Sequence, residues 1–205
     1  MLAGVELYYH VMNSPLGLLF LAGSGKGLCT VHFMDRRSLK RTLAQQETRF
    51  PGARWTPSLM NMKGAVDQLS AYFLGTRREF DLPLDLRGSE FHLQVWNQLL
   101  RIPYGETRTY GQIAAALGQP RATRAVGLAN GDNPCAIVVP CHRVVGAQGR
   151  LTGYGGGIPR KKWLLQHELQ NRVADEKAGE LALRYEGRVA VASGTAVRGG
   201  RSSRA

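Results

Sequence analysis

The sequence predicts an α+β protein: a small α/β domain with a three-stranded antiparallel sheet, then a mostly helical domain carrying a helix-turn-helix. Three observations lead there. Strand-like runs crowd the first 34 residues, helical spacing dominates after residue 88, and the Pro- and acid-bearing "DLPLDLRG" separates the two. The boundaries read as 1–80 for the first domain, 81–88 for the linker and 89–170 for the second.

Taken in chain order, "LYYHV" and "LGLLFLAG" are strands joined around Ser14-Pro15, and "GLCTVHF" is a third. Met34–Pro57 is polar and irregular. "GAVDQLSAYFLG" sets Val66, Leu69, Tyr72 and Phe73 at helical spacing and stops at Gly75. "SEFHLQVWNQLLRIPYG" has Ser89 as cap, Phe91, Val95 and Leu99 on one face, and a Pro-Tyr-Gly stop. "TYGQIAAALG" opens with Thr109 and Gln112 in capping-box spacing and ends at Gly118. "PRATRAVGLANGDNP" offers Pro120 as first helical residue and Gly131 near its end. Two short helices about a tight glycine turn form the helix-turn-helix. "IVVPCHRVVGAQGRLTGYGGG" reads as a short strand ended by Pro140 and then a Gly-rich loop; "PRKKWLLQHELQNR" is a last helix from Pro159. From 171 to 205 the chain turns to Ala, Gly, Ser and Arg and reads as a disordered tail.

Composition narrows the function. At 205 residues and 43% hydrophobic content the chain can build a sizeable core. No stretch approaches a membrane span, and the start lacks the features of a secretory signal, so a cytoplasmic location is expected. Three cysteines, Cys29, Cys135 and Cys141, argue against a disulfide framework and leave room for a free thiol. The net charge of +12 points to a polyanionic partner. Between Arg121 and Lys162 stand seven Lys or Arg and one acid, Asp132.

That basic stretch holds "PCHRVVG". Free cysteine has a pKa of about 8.5, so Cys141 needs a base or a nearby cation to act as a nucleophile. His142 and Arg143 are local candidates, although on a regular strand Cys141 and His142 would face opposite ways. A turn at Pro140 and a bridging water would reconcile them. Glu168 shares the inward face of Leu164 and could orient the imidazole; alternatively it forms an exposed pair with Arg172. Cys141 itself is either the nucleophile or an inert buried thiol. The second helix of the pair carries only Arg121 and Arg124 as long polar residues, so it can read little sequence. Arg124 either enters the base stack or the minor groove, or is merely solvated. Two function classes follow from these residues: a non-catalytic DNA-binding module, and a Cys-His-Glu hydrolase, which the basic surface does not support.

"IVVPCHRVVG", with "RAVGLANGDNP" before it and "LTGYGGG…WLLQHE" after it, resembles the O6-alkylguanine-DNA alkyltransferases (methylated-DNA–protein-cysteine methyltransferases) of the bacterial stand-alone, Ogt-like type. The likeness is dense over Tyr104–Glu168 and looser in the first 87 residues, through "NSPLG" and "AVDQLSAYFLG". It implies a ribonuclease H-like first domain and a winged-helix-like second. It further implies irreversible, single-turnover transfer of the alkyl group from O6-alkylguanine, and from O4-alkylthymine, to Cys141 in duplex DNA after base flipping. In that scheme His142 is the base acting through a water, Glu168 orients it, and Asn133 braces the turn. Tyr110 assists flipping and donates a proton to the departing guanine. Arg124 fills the vacated stack, on a minor-groove helix that also presents Thr123, Ala125 and Gly127. Tyr154, Gly155 and the backbone at Cys141–Val144, with Pro140 and Arg143 included, shape the base pocket. Thr123 stands where many relatives carry a smaller residue, and Cys135 is an inert neighbour. Relatives that bind zinc use positions held here by Val5, Ser24 and Cys29, so neither metal nor cofactor is expected. The implied partner is alkylated double-stranded DNA read with little sequence specificity, by a monomer able to assemble cooperatively on it. The arginines of the tail would add non-specific affinity.

Overall fold

The computed structural model describes residues 4–34 and 38–192. Four strands, β1 (Glu6–Met12), β2 (Leu19–Ser24), β3 (Gly27–Phe33) and β4 (Arg54–Pro57), form one sheet in the order β3-β2-β1-β4. The first three are antiparallel neighbours, as their runs predict; β4 adds in parallel to β1. The three-stranded expectation therefore falls one short. Four residues ending in a proline carry no alternation long enough to register, and Pro57, lacking an N–H, is tolerated because the strand is an edge. Helix α1 (Leu39–Gln46), capped by Ser38, also lies in the stretch read as irregular.

β2 is buried on both faces, and its continuous "LFLAG" follows from that. Leu19 and Leu21 pack toward α2 (Leu59–Phe73), which buries Met62, Ala65, Leu69 and Tyr72. Phe20 and Ala22 turn to the opposite side, against Leu39 and Leu43 of α1.

The outer edge of β3 joins the two halves. Leu28 N–H donates to Pro83 O at 2.8 Å, and Asp85 N–H to Leu28 O at 3.0 Å, so the linker is a short added strand. Further along, Val31 N–H donates to Pro134 O and Ala136 N–H to Val31 O, each at 3.0 Å. An otherwise exposed sheet edge is thus capped twice. A single hydrophobic cluster runs through both domains, from Leu21, Val31 and Leu69 to Val95, Leu99, Val126, Ile137 and Leu164.

In the second half α3 (Glu90–Leu100) starts at its Ser89 cap, and α4 (Tyr110–Ala116) carries the reciprocal capping box of Thr109 and Gln112. α5 (Thr123–Gly131) starts three residues later than Pro120 suggests. The Ala122 amide closes a turn on Gln119 O at 2.8 Å, which holds Pro120–Ala122 outside the helix. Trp96 of α3 donates its indole N–H to Ala129 O at 2.8 Å and locks α5 in place.

Two further expectations need correction. No strand precedes Pro140: Ile137 has a φ of 74° and the chain turns there, while β5 (Arg108–Thr109) pairs in parallel with β6 (Val144–Val145), beyond the cysteine. The apolar run of Ile137, Val138 and Val139 is buried because neighbours surround the turn, a situation that periodicity cannot tell from a strand. The last helix, α6, spans Ile158–Ala192, so 171–192 is helical and not a disordered tail. Ala, Leu, Glu and Arg are good helix formers, and a bidentate Arg78–Asp175 pair ties the extension to the loop that follows α2. The rest of the expected tail, 193–205, lies outside the described residues. No helix among the described residues is long and apolar enough to cross a membrane.

The linker strand passes so close to β3 that a Cβ on Gly27 would collide with the Pro83 carbonyl, whereas one on Gly25 meets nothing within 4 Å. Gly27→Ala should cost about 1–3 kcal/mol in chemical denaturation, and Gly25→Ala less than about 0.5 kcal/mol.

Candidate active site

Asn133 shapes the chain that presents the thiol. Its Oδ1 accepts from Cys135 N–H at 3.0 Å and its Nδ2 donates to Val139 O at 2.8 Å, which ties both ends of the turn before Pro140. Cys141–Arg143 then form one 3₁₀ turn. With about three residues per turn, successive side chains splay in three directions instead of two. Cys141, 5% exposed, lines a cleft, while His142 and Arg143 reach the interior. The objection that adjacent residues must face apart on a strand does not arise.

The interior partner is Glu168 of α6, fully buried, so the exposed Glu168–Arg172 alternative is excluded; Arg172 pairs with Glu176. Glu168 accepts from His142 Nε2 at 2.8 Å and, bidentately, from Arg143 Nε and Nη2 at 2.9 Å each. Gly105 N–H at 3.0 Å and Tyr72 Oη–H at 2.8 Å complete its shell. A carboxylate accepts only, so Nε2 carries the imidazole proton and Nδ1 the lone pair. Nδ1 is buried and has no hydrogen-bond partner among the described residues.

Charge follows from these contacts. Burial alone would raise the Glu168 pKa, but the adjoining His142 and Arg143 hold it well below the usual carboxylate range. Burial lowers the pKa of His142, helped by the Arg143 and Lys161 charges and opposed by Glu168, so the imidazole is neutral at pH 7. Burial pushes the Cys141 thiol up to about 11, against the lowering effects of the Asn133 hydrogen bond and Lys161. A protonated thiol and a neutral imidazole thus occupy successive positions of one turn, the protonation states from which general-base activation starts.

Lys161, read only as part of a basic run, is fully buried without a carboxylate. Its Nζ donates to Val144 O (2.5 Å), Thr152 O (2.8 Å) and Gly153 O (3.3 Å), and burial lowers its pKa to about 8. It joins β6 to the lip of the cleft and is a positive charge close enough to favour the Cys141 thiolate. Three consecutive cations, Arg160, Lys161 and Lys162, gave no sign of which one turns inward. Tyr72 did carry a signal: it is a polar-tipped residue inside an apolar helix stripe.

The cleft encloses about 310 Å³, near the lower end of ligand sites at about 300–1,000 Å³. Cys141, Asn133, Tyr154 and Gly155 line it from one side, Phe33 and Arg49 from the other. Tyr154 Oη is buried without a partner among the described residues, and its ring meets Phe33 edge-on. Pro140, Arg143 and Val144 do not line this cleft. Pro140 and Arg143 line a separate cavity of about 380 Å³ with Phe80 and Tyr104, and Arg143 Nη1 donates to Ile102 O at 2.6 Å. Val144 is buried and offers its carbonyl to Lys161. Ser24 Oγ donates to Asp85 at 2.8 Å, and Cys29 lies 3.7 Å from the same carboxylate.

On the adjoining surface α4 packs on α5. Tyr110 donates to Thr152 O at 3.3 Å, a carbonyl it shares with Lys161, and its ring lies beside Gly127 of α5. Thr123, Arg124 and Ala125 are exposed, as is Leu128, one turn beyond Arg124 and 67% exposed.

Replacing Glu168 by Gln leaves the buried Arg143 guanidinium without its counter-charge and should cost about 3–5 kcal/mol at pH 7 by urea denaturation. Because its folded-state pKa is depressed, Glu168 contributes stability above the unfolded value of about 4.3 that is lost as pH falls below it. Glu168→Gln should lack that part of the acid-induced decline.

Two family models match nearly the whole of both domains. Residues 7–86 match the ribonuclease-like domain of 6-O-methylguanine DNA methyltransferase, and residues 90–170 match its DNA binding domain. A methylated-DNA–protein-cysteine methyltransferase of Mycobacterium bovis is 53% identical over 169 residues, 82% of this chain and 96% of that protein. One from Methanosarcina acetivorans is 47% identical, covering 79% and 98%. The crystal structure of Mycobacterium tuberculosis OGT in complex with DNA superposes with a TM-score of 0.69 at 50% identity, covering 82% of this chain and 94% of that one. Matched in both domains and in fold, this chain belongs to the 6-O-methylguanine DNA methyltransferase family.

Proposed function

We propose that this protein repairs alkylated DNA by direct reversal, moving the alkyl group of O6-alkylguanine onto Cys141. The observation that carries the reading is a protonated thiol on the wall of a base-sized cleft, backed by a neutral imidazole whose accepting nitrogen, Nδ1, is free of protein partners. A water passes the Cys141 proton to His142 Nδ1, and Glu168 stabilises the imidazolium that forms. The thiolate attacks the alkyl carbon in line, the new S–C bond replacing the C–O6 bond. The electron pair leaves with guanine, which takes a proton from Tyr110. Asn133 and Lys161 favour the thiolate meanwhile.

The O6 alkyl carbon lies within the duplex, so in-line attack requires the nucleotide to be extruded. A small-residue helix face lets α5 approach the minor groove closely, with Arg124 taking the place of the flipped base. Few long side chains means little sequence readout, and selectivity rests on the poor pairing of the lesion. A thioether has no carbonyl for water to attack, so each chain reacts once. We read the working form as a cytoplasmic monomer that binds DNA with or without cooperation between copies.

Incubation with a duplex bearing one O6-methylguanine should put one methyl on Cys141 per chain, located by peptide mass spectrometry; several turnovers, or no methyl, would sink the reading. Cys141→Ala should bind the lesion duplex yet leave it methylated. If it behaves like the wild type, the protein is a DNA-binding module. Arg124→Ala should slow transfer from duplex DNA by about tenfold or more and transfer from a single strand much less, measured by rapid-quench kinetics.

A further inference from the structure

The buried hydrogen bond from Tyr72 to Glu168 crosses from one domain to the other. We propose that Tyr72 is a positioning residue of the proton relay, its hydroxyl fixing Glu168 and setting how firmly that carboxylate holds the His142 imidazolium. Tyr72 sits on α2, is fully buried, and meets Glu168 Oε1 at 2.8 Å. The same oxygen accepts from His142 Nε2 at 2.8 Å. One carboxylate oxygen is therefore shared between the base and a phenol supplied by the amino-terminal domain.

The consequence is electrostatic. Each hydrogen bond donated to a carboxylate disperses its charge and weakens its hold on a neighbouring proton. Tyr72, giving its hydrogen bond to the oxygen that His142 uses, keeps the His142–Glu168 pair from binding a proton too tightly in the resting state. The imidazole then stays neutral and able to take the proton of Cys141. Aromatic packing holds the phenol in place: Tyr72 lies against Phe73, Phe80 and Tyr104, with ring centroids at 5.5, 5.5 and 6.0 Å, and against His167 at 5.4 Å. The other charged or titratable groups around the pair are Arg143 and Cys141 on the same turn, Lys161 on α6, and Tyr104 and Tyr154 on neighbouring loops. Among the described residues that donate to Glu168, only Tyr72 comes from the first domain.

The inference rests on the alkyl-transfer reading and is tested by the pH dependence of the methyl-transfer rate in the full chain. Tyr72→Phe keeps the ring and removes one hydrogen bond. The acid limb of its rate profile should move up by about one pH unit, because a more basic Glu168 raises the pH at which His142 loses its proton, and the plateau rate should fall several-fold. Phe80→Leu, which loosens the packing around Tyr72 without touching Glu168, is the control: it should lower the melting temperature and leave the limb where it is. Both profiles are taken at a temperature at which circular dichroism shows each variant folded. An unmoved limb in Tyr72→Phe, or an equal shift in Phe80→Leu, overturns the proposal while leaving alkyl transfer intact. Absence of transfer in the wild type would instead sink the function on which it rests.

Discussion

The structure depends on one buried negative charge. Glu168 is withdrawn from water, and an unpaired carboxylate there would be prohibitively costly. Five donors compensate it: Tyr72 from α2, Gly105 from the turn after α3, His142, and two nitrogens of Arg143. Three separate segments must converge on α6 for that to happen. The carboxylate that holds the His142 imidazole is thus also the point at which the domains are registered.

The sheet meets the same turn from the other side. β3 pairs with Pro134 and Ala136 just ahead of the Asn133-braced turn, so the strand that completes the first domain also fixes where Cys141 emerges. The cleft lies between these supports, with walls from both domains. Lys161 adds a third tie, gathering carbonyls from β6 and the cleft lip around one buried ammonium. Backbone carbonyls orient it without neutralising it, and its charge is left to act on the thiol.

Much of this was readable beforehand. The antiparallel strands, α2, α3 and the capped α4 follow from alternation, helical spacing and cap residues, which are local signals. Residue chemistry brings forward Cys141 and His142 and leaves Glu168 open; Asn133, and Glu168 as the partner of His142, follow from the family resemblance. The misses share a physical cause. β4 and α1 are too short to show a period, the apolar run before Pro140 is buried by its surroundings and not by pairing, and the extension of α6 hid in a composition that suits both helix and disorder. The side chain of Arg143, two steps around the 3₁₀ turn from Cys141, reaches the interior and does not line the cleft.

Sequence alone settles the chemistry available to this protein: a free thiol beside an imidazole, a basic surface, and a small-residue helix able to lie close to DNA. Three-dimensional packing settles which groups can use it. Whether a lysine is solvated or buried, which imidazole nitrogen holds the proton, and that a tyrosine from the first domain shares an oxygen with His142 all depend on contacts between residues far apart in the chain. Burial is a property of the whole fold, and it is burial that sets the protonation of Cys141, His142 and Lys161.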